Sequence, residues 1–447
     1  MAEGHAPDIA TGRLSADDYA ANFADLHPLL TPHQAKVEAD RCYFCHDAPC
    51  MEACPTDIDI PMFIRKIHSG DTKGAAETIF FQNILGGMCA RVCPTETLCE
   101  EVCVRNDCEE KPVTIGMLQR FATDHYLTLD AKPAKRAPST GKKVAIVGAG
   151  PAGLSCAHGL AIAGHEVTIY DAREKLGGLS EYGIAAYKTT DNFAQREVDF
   201  ILSMGGITIQ SRKALGTDIQ LADLRADHDA VFVGVGQAGV NGLGLDGENA
   251  DGMVDAVDYI ADLRQADDLS SLPVGANVIV IGGGMTAVDA AVQSRRLGAE
   301  DVTMVYRRGP DQMGASAFER ELAQTNGVRI RYWAKPTGVT TSGSAVRALT
   351  FEGTALDGDG RLQGTGETFD LPADMVFKAI GQSFLADVLG DGGPALEHGR
   401  IKVDDTRKTD LDNVWAGGDC VAGGEDLTVV SVQDGKLAAA SINDYLA

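Results

Sequence analysis

At 447 residues the chain is too long for one hydrophobic core, and length alone allows about two to four domains, of which three are expected. With 64 acidic against 39 basic residues the net charge is −25, which excludes nucleic acid and anionic lipid as partners because a polyphosphate surface would repel the chain. The opening "MAEGHAPDIATGRL" holds no signal-peptide core and no apolar run approaches the ~18 residues of a membrane span, so a cytoplasmic location and no membrane partner are expected.

Residues 1–130 carry a crowd of thiols: nine of the 11 cysteines fall between Cys42 and Cys108, leaving only Cys156 and Cys420 elsewhere. In a reducing compartment such a crowd reads as metal ligands and not as disulfides. Zinc is the ordinary partner of C-x2-C pairs. The run Cys42-x2-Cys45-x4-Cys50-x3-Cys54-Pro55 instead resembles ferredoxins, where three thiolates serve one [4Fe-4S] cluster and the cysteine before proline serves another. "CARVCPTETLCEEVC" repeats the idea, with Cys93 before Pro94, so two [4Fe-4S] clusters are expected. Around the thiols, "IPMFIRKIHSGDTKGAAETIF" and "TIGMLQRFATDHYL" place apolar residues at three- and four-residue steps, which predicts a helical domain.

Residues 131–142, rich in Pro, Lys and small side chains, read as a linker. Beyond them short Val/Ile runs alternate with glycines and helical stretches, the pattern of a parallel α/β sheet. "KKVAIVGAGPAGLSCAHGLAIAGHEVTIYD" contains a strand, then Gly148, Gly150 and Gly153, a helix, and a second strand ending in Asp171. The first glycine makes the tight turn, the second admits a pyrophosphate, the third lets helix and strand pack, and the acid accepts ribose hydroxyls. A second unit, "ANVIVIGGGMTAVDAAVQSRRLGAEDVTMVYRRG", puts Gly282, Gly284 and Ala287 in the same roles. Its second strand ends in Tyr306-Arg307-Arg308, with no acid, an arrangement that can hold a ribose 2′-phosphate; the bland alternative is a solvated strand end.

Gly177 and Gly178 after the first unit, and Gly418-Asp419 in "NVWAGGDCVAGGEDLTVVSV" near the C-terminus, resemble flavin disulfide-reductase-like oxidoreductases. That resemblance implies two Rossmann-like domains. An FAD domain would be made of residues 143–240 plus 378–447, and an inserted NAD(P)H domain would span 241–377. It implies that Asp419 bonds the flavin ribitol, that Thr428 sits near the isoalloxazine, and that Lys188 faces the flavin phosphates where relatives carry arginine. A nicotinamide lying on Gly282 to Thr286, over Met285, would then give hydride to the flavin, whose electrons leave through the clusters. Cys156 and Cys420 are too far apart in sequence to be a dithiol outlet, and no catalytic side chain is demanded.

Residues 34–128, particularly "DAPCMEACPTDIDIPMFI", "CARVCPTETLC" and "PVTIGMLQRFATD", resemble the N-terminal domain of dihydropyrimidine dehydrogenases, and the likeness continues through both nucleotide units. The chain is similar to the flavin-bearing subunit of the two-subunit bacterial enzymes. This resemblance implies that Cys42, Cys45, Cys50 and Cys103 hold one cluster, and Cys54, Cys93, Cys99 and Gln119 the other. From the residues alone Cys89 and Cys108 stay open in place of Gln119. It further implies a hetero-oligomer with an FMN- and iron-sulfur-containing, pyrimidine-reducing subunit, since no room is left here for an FMN barrel. The small subunit of glutamate synthase is the alternative relative, and a nucleotide-binding iron-sulfur scaffold without turnover a third reading. Absence of an acid after the second unit favours NADPH, whereas Gly314, where NADPH-using members carry arginine, favours NADH.

Overall fold

The computed structural model describes residues 8–132 and 134–447, so Pro133 of the expected linker lies outside the described residues. The chain forms two compact units. One comprises the chain up to Leu26, Tyr182–Thr190 and Val240–Ser383; the other comprises His27–Glu181, Asp191–Gly239 and Phe384–Ala447.

In the second unit, the helical half is built from Pro32–Asp40, Ile60–Ser69, Thr72–Gln82, Gly86–Val92 and Ile115–Tyr126. The stretch 60–80 makes two helices because Gly70 turns left-handed (φ 88°) and Asp71 then accepts from Gly74 N, ending one helix and capping the next. Phe63, Ile64, Ile79, Leu118 and Tyr126 are fully or almost fully buried between them. The same unit holds a parallel sheet in the order Val414–Ala416, Ala230–Val233, Lys143–Val147, Glu166–Asp171, Ile207–Ser211. Val144 to Val147 are buried on both faces, as a parallel strand covered by helices requires. The helices Pro151–Ile162 and Thr428–Leu446 pack on each other so closely that a side chain at Gly435 would strike Ala152 O.

The first unit has a five-stranded parallel sheet ordered Arg329–Arg331, Asp301–Val305, Asn277–Gly282, Met375–Ala379, Met253–Asp255, and a three-stranded antiparallel meander, Ala334–Ser342, Ala345–Leu356 and Leu362–Pro372. Buried Asp374 fixes the entry to the central strand by accepting from Ala276 N and Asn277 N.

Three expectations are corrected. The first residues do not join the thiol domain: Ile9–Ala10 pairs antiparallel with Val274–Gly275, and Arg13 donates to Val274 O. The nucleotide insertion is wider than 241–377 and includes Tyr182–Thr190, because Ala185 N and Ala186 N donate to Asp289 and Gln293. The described part of the linker is not a free tether: Arg136 bonds Ala161 O and His165 O and pairs with Glu166, while Thr140 N donates to Gly164 O.

Candidate flavin, nicotinamide and iron-sulfur sites

The first glycine turn is shaped for a ligand's close approach. Gly148 (φ 97°) is left-handed, and a Cβ at Gly153 would meet Gly148 O at 1.9 Å, so helix and strand touch there. At Gly150 the only neighbour within 4 Å of an added Cβ is Gly178 Cα, at 3.8 Å. Gly177 N donates to Ala149 O (2.9 Å), which lays the Gly177–Gly178 loop against the turn. Asp171 accepts from Ala149 N and Arg173 N, both at 2.7 Å, and a carboxylate keeps lone pairs beyond those two for hydroxyls. Gly150 is the N-cap of Pro151–Ile162 and supplies no side-chain cap, so the helix's first amides are left for an anion.

In the same unit the Gly418-Asp419 turn is held from the helix Thr428–Leu446. Asp434 accepts from Gly418 N (2.8 Å) and pairs with Arg407 (2.6 Å), and Ser431 Oγ donates to Asp419. Burial, with Asp426 adding, pushes the Asp419 carboxyl up to about 6. Thr428 is the first residue of its helix, whose N-cap Leu427 offers no side chain to the bare amides.

The other unit repeats the design. Gly282 (φ 152°) cannot carry a side chain, since a Cβ would meet Ala379 O at 2.2 Å, while at Gly284 nothing lies within 4 Å. Met285 and Thr286 open the helix Met285–Arg296, again without a side-chain cap. Ala315 N donates to Gly283 O (2.8 Å) and brings the Gly314 loop over the turn. Arg307 is exposed and Arg308 half-buried at the end of Asp301–Val305, and among the described residues neither guanidinium has an acidic partner. Lys188, expected toward the flavin phosphates, is instead buried in this unit, with Nζ 2.7 Å from Asp289 Oδ1 and 2.7 Å from Glu319 Oε1. Burial alone would lower its pKa; Asp289, Tyr187 and Glu319 outweigh that and hold it above the usual lysine range.

The thiols assemble as two adjacent groups. Cys42, Cys45, Cys50 and Cys103 line one small cavity with Ile60 and Ile64. Phe44 takes a left-handed φ of 53° between the first two, letting its amide donate to Cys42 Sγ (3.4 Å). Burial raises the Cys42 thiol and pushes Cys50 up to about 12. Cys54, Cys93 and Cys99 form the second group: the Cys93 thiol is raised by its hydrogen bond with Cys89 and then by burial, with Cys99 and Cys54 adding, and Cys99 by burial, then Glu100, Cys54 and Cys50. Asn83 Nδ2 donates to Cys89 Sγ (3.2 Å). Gln119 is buried, its Nε2 donating to Gly86 O (2.7 Å) at the start of the helix that carries Cys89. Cys108 is exposed. Among the described residues no three His, Cys, Asp or Glu are arranged around a single metal ion. Soft thiols, four in one group and three in the other, are the kind of donor an iron-sulfur cluster takes, and holding one replaces their protons. Cys156 and Cys420 are buried and unpaired, Cys420 facing Gly417 O and Val233 O.

One residue that no sequence signal marked holds the second group in place. Glu197, on the helix Phe193–Leu202, is buried and accepts from Gly87 N (2.8 Å) and Met88 N (3.1 Å), at the start of the helix that carries Cys89 and leads to Cys93. Beside it Arg91 lies over the Phe193 ring, 3.4 Å from its centroid, and one of its Nη atoms donates to both carboxylate oxygens of Asp124 at 2.7 and 2.8 Å.

Two dinucleotide turns and a thiol domain on one chain define an NAD(P)H-dependent flavin and iron-sulfur oxidoreductase. Residues 142–435 match the pyridine nucleotide-disulphide oxidoreductase family, and residues 19–130 match the family described as dihydropyrimidine dehydrogenase domain II, 4Fe-4S cluster. The chain belongs to the pyridine nucleotide-disulphide oxidoreductase family, with an N-terminal 4Fe-4S domain. It is 38% identical over 427 residues to the NAD-dependent dihydropyrimidine dehydrogenase subunit PreT of Salmonella typhimurium, covering 95% of this chain and 98% of that one. It is 35% identical over 446 residues to the glutamate synthase [NADPH] small chain of Escherichia coli, covering 95% and 94%. Among solved structures, FprA from Mycobacterium tuberculosis superposes with a TM-score of 0.58 at 20% identity, over 68% of this chain and 85% of that one, a likeness of fold. Thioredoxin reductase from T. acidophilum gives 0.53 at 22% identity over 68% and 99%. The chain is thus an electron-transfer flavoprotein, and among the described residues no helix is long and apolar enough to cross a membrane.

Burial pushes the Glu197 carboxyl up to about 8, above its unfolded value near 4.5. A raised carboxyl gives a contribution fully present below about pH 4.5 that declines as pH rises and is lost through pH 8. Glu197→Gln keeps the acceptor oxygen for both amides, so its unfolding midpoint should match the parent's near pH 5 and exceed it above pH 8. Melting curves across that range check this; a constant difference at every pH would show that Glu197 does not take up a proton on folding.

Proposed function

We propose that the chain is the NAD(P)H-oxidising input subunit of a two-component enzyme whose FMN- and iron-sulfur-containing partner reduces uracil or thymine to the 5,6-dihydropyrimidine. The carrying observation is the 38% identity, end to end, with a subunit named for dihydropyrimidine dehydrogenation. A glutamate synthase partner is the second reading, supported by 35% identity over an equal share of the chain.

In this reading Gly148, Gly150, Gly153 and the following helix amides hold the FAD pyrophosphate, Asp171 and Asp419 accept its hydroxyls, and Gly177, Gly178, Gly418 and Thr428 border it. Gly282, Gly284, Met285 and Thr286 hold the nicotinamide dinucleotide. Cys42, Cys45, Cys50 and Cys103 bind one [4Fe-4S] cluster, and Cys54, Cys93, Cys99 and Gln119 the other. Gln119 suits the role because its amide nitrogen is engaged by Gly86 O, which leaves the oxygen as its free donor atom. A flavin held there would supply hydride acceptance, and clusters held by these thiols would supply one-electron transfer. The protein positions these groups and excludes water; Lys188, compensated by Asp289 and Glu319, anchors the 182–190 segment within the nicotinamide unit.

Anaerobically purified protein should carry about eight irons and as many sulfides per chain, as two four-iron clusters require. With the neighbouring subunit it should couple NADH oxidation to uracil. Zinc without sulfide would end the cluster reading, and coupling to glutamine and 2-oxoglutarate instead of uracil would establish the second reading.

Valine at Gly150 or Gly284 meets no clash within the protein, since those backbones have φ of −74° and −96° and open space, so each variant should fold. Gly150→Val should lose FAD, whereas Gly284→Val should keep FAD and lose its reduction by NADH. Flavin absorbance and stopped-flow traces read both; loss of the same nucleotide from both variants would overturn the order of the domains.

Both NADH and NADPH should reduce the flavin, because Arg307 and Arg308 have no acidic partner among the described residues while Gly314 supplies no further cation. A charge-assisted contact to a 2′-phosphate is worth about 2 kcal/mol, so Arg307→Ala should raise the NADPH requirement some thirtyfold and leave that for NADH nearly unchanged. Equal loss for both would make Arg307 a scaffold residue.

A further inference from the structure

Lys436 lies in the helix Thr428–Leu446, two turns beyond Thr428 and half-buried. Its Nζ donates to Thr56 O (3.1 Å), Gln82 O (3.4 Å) and Gln82 Oε1 (2.5 Å). Three oxygen acceptors match the three protons of an ammonium, which fixes the side chain as a cation. Among the described residues it makes no ion pair. Both peptide segments it grips border the second thiol group. Thr56 follows Cys54-Pro55, and its hydroxyl, fully buried, lies 3.4 Å from Cys54 Sγ. Gln82 precedes Asn83, also fully buried, whose amide bridges Thr56 Oγ1 (3.4 Å) and Cys89 Sγ (3.2 Å). Burial lowers the pKa of Lys436, and the neighbouring charges act against that.

We propose that Lys436 is the charge that draws the electron from the flavin side onto the cluster held by Cys54, Cys93 and Cys99, a proposal that rests on that cluster reading. A [4Fe-4S] cluster gains one negative charge when it accepts one electron from the reduced flavin. A fixed cation across a desolvated gap stabilises the charge gained, and so raises the cluster's potential relative to the flavin's. The Thr56 hydroxyl, 3.4 Å from Cys54 Sγ, acts in the same direction when it donates to that sulfur. One helix therefore holds the Gly418-Asp419 turn through Ser431 and Asp434 and the loops beside the second thiol group through Lys436.

The test is a redox titration of the full chain with its cofactors, followed by low-temperature EPR and flavin absorbance, in the parent and in Lys436→Met, Lys436→Gln and Lys436→Arg. At a fixed poise, the reduced-to-oxidised ratio of one of the two clusters should fall about tenfold in the Met and Gln variants, about 59 mV for a one-electron couple, with the other cluster and the flavin unmoved. The Arg variant should keep the parent ratio. Glutamine retains a donor for the carbonyls without the charge, so a parent-like ratio in Lys436→Gln would overturn the proposal. An Arg variant shifted as far as Met, or loss of iron from Gln with iron kept in Arg and no shift in the remainder, would also overturn it, reducing Lys436 to a clamp. A parent that shows no iron-sulfur signal at all would instead bring down the cluster reading itself.

Discussion

Bare backbone amides at the starts of three helices are the constraint on which the rest of this molecule depends. The helices Pro151–Ile162, Met285–Arg296 and Thr428–Leu446 each begin without a side-chain cap, although buried or ligand-facing N–H groups need an acceptor. Ser15, Thr31, Asp59 and Asp71 cap other helices with their side chains, while further helices such as Ile115–Tyr126 and Phe193–Leu202 also begin without one, so what marks these three is the glycine turn or loop that precedes them. At two of these three helices glycine stands before the first turn and the space beside it is open. The architecture leaves places for anions, and the parallel strands exist to aim those helix ends at them.

The thiol domain is organised by the opposite problem, the cost of desolvating groups that must become anionic. Its cysteines are packed among Ile, Phe and Leu side chains, and burial raises the thiols of Cys50 and Cys99. Such thiols favour a bound, strongly charged metal centre over free thiolates. What holds the loops in register is polar: Glu197 on the amides of Gly87 and Met88, Arg91 on Asp124, and Lys436 on the carbonyls of Thr56 and Gln82. Two of these come from elements of the flavin-side fold, so cluster geometry and flavin geometry share one support within this unit. The relatives named for pyrimidine and for glutamate chemistry share nearly the whole chain at similar identity, which fits an input module whose reaction is chosen by its partner.

Sequence alone determined what depends on short spacing. The glycines of both turns, the strand ends at Asp171 and Arg307, and the thiols from Cys42 to Cys54 sit within a few residues of one another, and their chemistry follows from backbone conformation and ligand reach over that span. Two sheets with a helical thiol domain were legible for the same reason, since periodicity is local. What only the tertiary structure decided involves partners far apart along the chain. Lys188 finds Glu319, 131 positions away, instead of a phosphate; Glu197 reaches Gly87 across 110; Lys436 reaches Thr56 across 380. The first residues join a strand at Val274, and Cys103 closes a cavity begun by Cys42. A lone lysine or glutamate in an amphipathic helix carries no mark of the buried partner it will meet, because that partner is set by how whole elements pack, and packing fixes which charges are desolvated together.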